Sequence, residues 1–207
     1  MRLVLLGPPA SGKGTQAAIL RERLRVPQIS TGDMLRAARR EGTTLGKEAE
    51  RFMSAGHLVP DSVVIGLVEE RLAEADTAQG FILDGFPRTV PQAEALEALL
   101  AKLDKPLDAV LQIDVSRDLL VERATLRRTD KRTGQIYHLK YNPPPSDADL
   151  EHRADDQEET VKARLDQYDA MTAALIPHYQ SRKLLRTIDG VGAPDEVTSR
   201  MLTALAL

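Results

Sequence analysis

The segment Gly7-Pro8-Pro9-Ala10-Ser11-Gly12-Lys13-Gly14-Thr15 holds the residue types that cradle a phosphate. Glycines let backbone N–H groups turn inward toward an anion, a lysine reaches the outer phosphates, and a hydroxyl stands near Mg²⁺. The general pattern puts Ser or Thr directly after the lysine; here Gly14 intervenes and Thr15 follows. The plain alternative is a Gly/Pro-rich turn without ligand. An apolar run before the segment, a helical pattern after it and Lys13 at the right offset weigh against that.

A second group of candidates is cationic. Arg36, Arg88, Arg123, Arg127, Arg153 and Arg164 lie among 20 arginines and only 8 lysines. Composition accounts for most of that ratio, but not for placement inside motifs. Arg grips phosphate with a planar fork, whereas Lys acts as a point charge. Arg123 and Arg127 are four apart, so they are expected on one helix face, where like charges repel unless an anion lies between them; a solvated basic face is the bland alternative. Asp84 ends an apolar run, at the strand edge where α/β folds place ligands, and precedes Gly85, so it is either a carboxylate for the water shell of Mg²⁺ or a turn residue.

These residues need rigid supports. Leu3–Leu6 reads as a strand buried on both faces, and residues 13–24 as a helix. Runs at 81–83, 109–113 and 184–188 resemble the first, each followed by turn residues and a helical pattern. Thr89 with Gln92 is a helix-start signature, Ser116 is a candidate cap, and Pro194 with Asp195 and Glu196 opens a last helix. Alternation of this kind predicts a parallel α/β sheet with right-handed crossovers. Two stretches interrupt it. Residues 30–59 read as short helices, and residues 127–154 as a small β-type insertion closed by Pro143-Pro144-Pro145.

Composition narrows the classes. The 207 residues suit a single core with insertions, and a net charge of −3 argues against nonspecific nucleic-acid binding. Absence of Cys excludes disulfides, thiolate zinc sites and Cys nucleophiles, and fits a reducing compartment. No apolar run approaches the ~20 residues of a membrane span. His57, His138, His152 and His178 show no metal spacing, and His138 reads as structural. Only 3% of residues are aromatic, so the core must be aliphatic.

The motif from Gly7 to Gln16 resembles the opening of the nucleoside monophosphate kinases, the adenylate kinases in particular. Three later segments agree in order: Ile29–Arg36, Asp84–Thr89 with Gln92, and Arg153 with Asp155, Asp156 and Arg164. The resemblance implies a phosphate-loop, three-layer α/β fold with a central parallel sheet flanked by helices. It divides the chain into a core (1–29, 60–126 and 155–207), a helical monophosphate-binding insertion (30–59) and a lid (127–154).

It further implies Mg-dependent transfer between ATP and AMP, giving two ADP, by direct in-line displacement. Lys13, Arg88, Arg123, Arg127, Arg153, Arg164 and Asp84 would be the catalytic set, with Asp84 acting on Mg²⁺ through water rather than as a ligand. ATP would lie against Ala10, Ser11, Gly12, Lys13, Gly14, Thr15, Arg123, Arg127, Ile136, Tyr137 and Gly192. AMP would meet Thr31, Arg36, His57, Leu58, Val59, Gly85, Phe86, Pro87, Arg88, Gln92, Arg153 and Arg164. Thr31 and Gln92 have double readings, as helix caps and as readers of the base, and Tyr137 is otherwise lid core. Arg153 and Arg164 would close over both phosphates from the lid.

The chain departs from its relatives in three places. Ala10 stands where the family usually has Gly, and is expected to keep a negative φ. Leu126 stands where many relatives have Gly. The lid is short and carries none of the soft ligands with which some relatives bind zinc, so hydrogen bonds and salt bridges among Asp130, Thr133, Asp147 and Asp149 are expected instead of a structural metal. A cytoplasmic monomer is expected, with nucleotides as its only partners. A UMP or CMP kinase is the nearest alternative. A GTPase-type switch would need an Asn-Lys-x-Asp motif, which is absent, and a non-catalytic binding module would have little use for arginines at both sites.

Overall fold

The computed structural model describes residues 1–55 and 57–207; residue 56, inside the expected helical insertion, lies outside the described residues. Five parallel strands form the main sheet: β1 (Arg2–Leu6), β2 (Gln28–Ser30), β3 (Phe81–Asp84), β4 (Ala109–Asp114) and β8 (Leu185–Asp189), in the order β2-β3-β1-β4-β8. Four of these are the apolar runs. The fifth, β2, is three residues long and too short for a periodicity signal; it is a strand because it pairs with β3, Ile29 opposite Leu83.

The pleat sorts each apolar run onto two faces. Val4, Leu6, Phe81, Leu83 and Val110 face one core, with α4 (Asp61–Leu72), α5 (Val90–Lys102) and α8 (Leu175–Ser181). Leu3, Leu5, Ile82, Leu111 and Ile113 face the other, with α1 (Lys13–Leu24), α6 (Arg117–Thr125), α7 (Glu158–Gln167) and α9 (Pro194–Ala204). Both faces are dry because both are covered by helices, the usual condition of a parallel sheet. Phe81, Phe86 and Tyr179 are the fully buried aromatics, and aliphatics fill the rest.

Local signals set the helix starts. Thr89 Oγ accepts from Gln92 N–H at 3.3 Å, and the Gln92 amide reaches back one residue beyond the cap, to Arg88 N–H at 2.7 Å. Ser116 precedes α6 as expected, but its side chain makes no capping bond. At α9 the Glu196 carboxylate accepts from Ala193 N–H at 2.8 Å. Between β2 and β3, ahead of α4, run α2 (Thr31–Arg40) and α3 (Thr44–Ser54), begun by Ser30 and Thr43.

Residues 127–154 hold a separate antiparallel sheet of β5 (Arg127–Asp130), β6 (Ile136–His138) and β7 (Leu150–Glu151), in the order β6-β5-β7. Its turn is tied by one carboxylate. Asp130 accepts from Arg132 N–H at 2.8 Å and Thr133 N–H at 3.0 Å, while its carbonyl accepts from Gly134 N–H at 2.8 Å. Of the four expected lid residues, Asp130 and Thr133 meet in this turn, while the other two find partners elsewhere. Asp149 pairs with Lys131 at 3.1 Å, and Asp147 offers its backbone carbonyl to Arg132 at 2.7 Å. Lys140 Nζ and Tyr141 OH both donate to Glu122 Oε1, at 2.7 and 2.9 Å, joining this sheet to α6.

Arg123 and Arg127 do not share a helix face. Leu126 ends α6, with its N–H on Glu122 O, and Arg127 begins β5. The φ of Leu126 is −92°, a conformation that needs no glycine. Among the described residues no helix is long and apolar enough to cross a membrane.

Candidate active site

The phosphate loop leaves β1 at Gly7, where a Cβ would stand 2.8 Å from Ile113 O and 2.9 Å from Ser11 Oγ. It closes with Ser11 N–H on Pro8 O at 3.2 Å and enters α1 at Gly12, whose φ is +101°. No side chain caps α1, so its first N–H groups stay available for an anion. Ala10 has φ +63°, contrary to the expectation of a negative φ. The loop turns left-handed there, and the Cβ of alanine is strained in that conformation.

Lys13 curls over the loop, donating to Gly7 O at 2.7 Å and Pro8 O at 2.8 Å. Burial pushes its ammonium down to about 7; Asp84 opposes the shift, and Arg88, Arg164 and Arg127 reinforce it. An anion in the loop would reverse the shift. Burial likewise raises the Asp84 carboxyl, against the pull of Lys13. Asp84 lies at the carboxyl end of β3, its Oδ2 held by Gln28 Nε2 at 3.2 Å and 3.7 Å from where a Cβ on Gly14 would stand.

One cavity of about 780 Å³ runs from this loop past α2 to the start of α5. All the expected site residues line it except Phe86, whose ring is buried in the core. The peptide after it, Phe86–Pro87, is cis. Ile136 and Tyr137 of β6 form one wall, and Gly190 to Pro194 after β8 form another.

The six arginines arrive from six separate places and are held by fixed partners. Arg36 on α2 pairs with Asp33 at 2.6 Å, and Arg88 Nε donates to Gly85 O at 2.7 Å. Arg123 reaches Gly190 O at 3.0 Å. Arg127 is bidentate to buried Asp156, one bond at 2.8 Å and the other shorter. Arg153, before α7, donates to Thr129 Oγ at 2.9 Å. Arg164 pairs with Asp155 at 2.8 Å; it stands on α7, a core helix, rather than in the lid.

Burial pushes Arg88 down to about 10, helped by neighbouring Arg164, and Arg153 to about 10, helped by Arg36 and Arg127. Both stay charged at neutral pH. Burial also opposes the charge on Arg127, but Asp156 more than restores it. Crowded cations of this kind are stabilised by a polyanion between them.

Sequence reading missed several contributors. Asp33 sits three residues before Arg36, a helical spacing that could have signalled the pair. Thr172 had no signal. It lies in a π-helical turn (Tyr168–Thr172) and donates to Arg88 O at 2.8 Å, across 84 positions of chain. Gln16 on α1 bonds Pro194 O at 2.9 Å and accepts from Thr198 of α9 at 2.8 Å, fixing the far wall against the loop helix.

A strand–loop–helix cradle at the edge of a parallel sheet, faced across one cavity by arginines, defines a phosphate-loop nucleotide-binding protein. Residues 5–184 match the family model described as adenylate kinase. An adenylate kinase of Sorangium cellulosum is 61% identical over 208 residues, covering 99% of this chain and 96% of that one. One from Moorella thermoacetica is 55% identical over 197 residues (92% and 91%), and one from Syntrophotalea carbinolica 51% over 212 (99% and 98%). The chain belongs to the adenylate kinase family.

Proposed function

We propose that the chain catalyses Mg·ATP + AMP ⇌ 2 ADP. The observation that carries this reading is the convergence of Lys13 and six arginines on one cavity with a phosphate cradle at one end and Thr31 and Gln92 at the other. Two polyanions must be brought together with water excluded, which calls for positioned cations rather than a nucleophile. Lys13, Arg123 and Arg127 hold the triphosphate, Arg36 and Arg88 the monophosphate, and Arg153 and Arg164 span both.

An oxygen of the AMP phosphate attacks the γ-phosphorus in line. The bond from that phosphorus to the β,γ-bridging oxygen breaks, and ADP leaves with the electron pair. The attacking phosphate is already ionised, so no general base takes part. His138 keeps a structural role; its Nδ1 accepts from Lys140 N–H and Tyr141 N–H, each at 3.2 Å.

The residues present fit a hydrated Mg²⁺ that arrives with ATP. Asp84 and Thr15 flank the loop, and among the described residues no cluster of His, Asp or Glu could hold a metal alone. Mg²⁺ usually keeps several waters and binds through phosphates and one or two carboxylates. Bound with ATP, the ion would offset charge developing on the phosphate oxygens. Residues 30–59 close over AMP and 127–154 over ATP, around the core. The lid sheet keeps its shape without zinc, through Asp130 and its neighbours. The reading is of a cytoplasmic monomer.

Offering AMP, GMP, CMP and UMP separately with Mg·ATP, and measuring ADP, tests the reaction. ADP formation is expected with AMP well above the others. Preference for UMP or CMP would replace this reading with the neighbouring kinase, and no transfer with any of them would leave only nucleotide binding.

A further inference from the structure

Gln92 is almost completely buried at the far end of the cavity, and its amide is held from both sides. Oε1 accepts from Arg88 N–H at 2.7 Å, and Nε2 donates to Asp61 Oδ1 at 2.6 Å. The other Asp61 oxygen accepts from the Thr89 hydroxyl at 2.8 Å. A carboxylate only accepts and a backbone N–H only donates. A flipped amide would therefore set donor against donor and acceptor against acceptor, so one orientation is specified.

That orientation leaves one N–H and one carbonyl lone pair uncommitted. The pair complements a base edge with an exocyclic amino group beside an unprotonated ring nitrogen, as in adenine. It opposes an oxo group beside a ring N–H, as in hypoxanthine or guanine. Thr31 acts in the same sense. Its hydroxyl proton goes to Gly85 O at 2.9 Å, so only lone pairs remain for a ligand.

Asp61 is the first residue of α4 and does not line the cavity. We propose that Asp61 is a positioning residue for base selection: by holding the Gln92 amide, it makes the monophosphate site prefer 6-amino over 6-oxo purines. This rests on reading the Thr31–Gln92 end as the site of the monophosphate base. A residue serving only to start α4 would affect both purines alike.

The test compares kcat/KM for AMP and IMP, which differ only in the amino or oxo group and the N1 proton it entails. Wild type, Asp61→Asn, Asp61→Ala, Asp61→Leu and Gln92→Leu are assayed with Mg·ATP, with folding checked by circular dichroism. Asp61→Asn can keep its carbonyl on Gln92 Nε2 and turn its NH₂ to the Thr89 hydroxyl, which can accept, so it should hold the amide and keep the wild-type ratio. Asp61→Ala removes the acceptor: the AMP/IMP ratio should fall about tenfold or more, chiefly through a higher KM for AMP, with kcat at saturating AMP within about twofold. Asp61→Leu also removes the acceptor and serves if the Ala variant fails to fold. A wild-type ratio in the variant that lacks the acceptor, with the ratio collapsed in Gln92→Leu, overturns the role of Asp61 and leaves the site reading intact. An unchanged ratio in Gln92→Leu overturns both.

Discussion

Ala10 is the residue whose geometry most directly tests the phosphate loop. Its φ of +63° belongs to a region where a Cβ costs about 1–2 kcal/mol, and glycine escapes that cost while giving back part of it in unfolded-chain entropy. Ala10→Gly should therefore raise stability by about 0.5–1 kcal/mol net, read from urea unfolding. Unchanged or lower stability would mean that the loop does not hold this conformation in solution. The family resemblance marked the position as unusual. It could not supply the sign of φ, because that depends on where the amides of the whole loop must point.

At the scale of elements, the lid turn is the clearest dependence on one side chain. Asp130 holds two N–H groups that a β-turn would otherwise leave to water, and those bonds keep its carboxyl below the ordinary range, foremost the one from Thr133 N–H. Asp130→Ala should speed hydrogen exchange at the amides of Arg132 and Thr133 while leaving β1, β3 and β4 protected, since local opening need not involve the core. Equal exchange in both proteins would show that the turn stands without the carboxylate.

Elements also show where sequence reading succeeds. Long apolar runs and cap signatures carry their own period, so β1, β3, β4, β8 and the start of α5 were legible. Two failures have physical causes. β2 is a strand by virtue of its neighbour, with too few residues to show alternation. The helix expected to carry both Arg123 and Arg127 ends between them, because Leu126 closes α6 and pairing with β6 draws Arg127 into a strand. The site candidates are written locally, in the phosphate loop and the arginine motifs, and the structure brings them to one cavity. Its tethers, such as Thr172 to Arg88 and Gln16 to Thr198, join residues far apart in the chain and leave no local pattern.

At the scale of the whole molecule, charge is sharply divided. Seven cationic side chains and three carboxylates line the cavity, an excess of four positive charges within a chain of net charge −3. The remaining residues therefore carry seven surplus negative charges. Such a field draws phosphates toward one opening and repels them elsewhere, and salt weakens it. kcat/KM for AMP should fall about threefold or more between roughly 10 and 200 mM monovalent salt, while kcat changes less. A salt-independent kcat/KM would show that capture does not depend on this field.

The ties from Gln16 to Pro194 and Thr198 span 178 and 182 positions of chain. The loop helix and the wall formed by residues 190–194 therefore meet across one cavity although the sequence keeps them far apart. A nucleotide seated between them would act as a clamp, touching both stretches at once and adding its own contacts to the two hydrogen bonds that already join them.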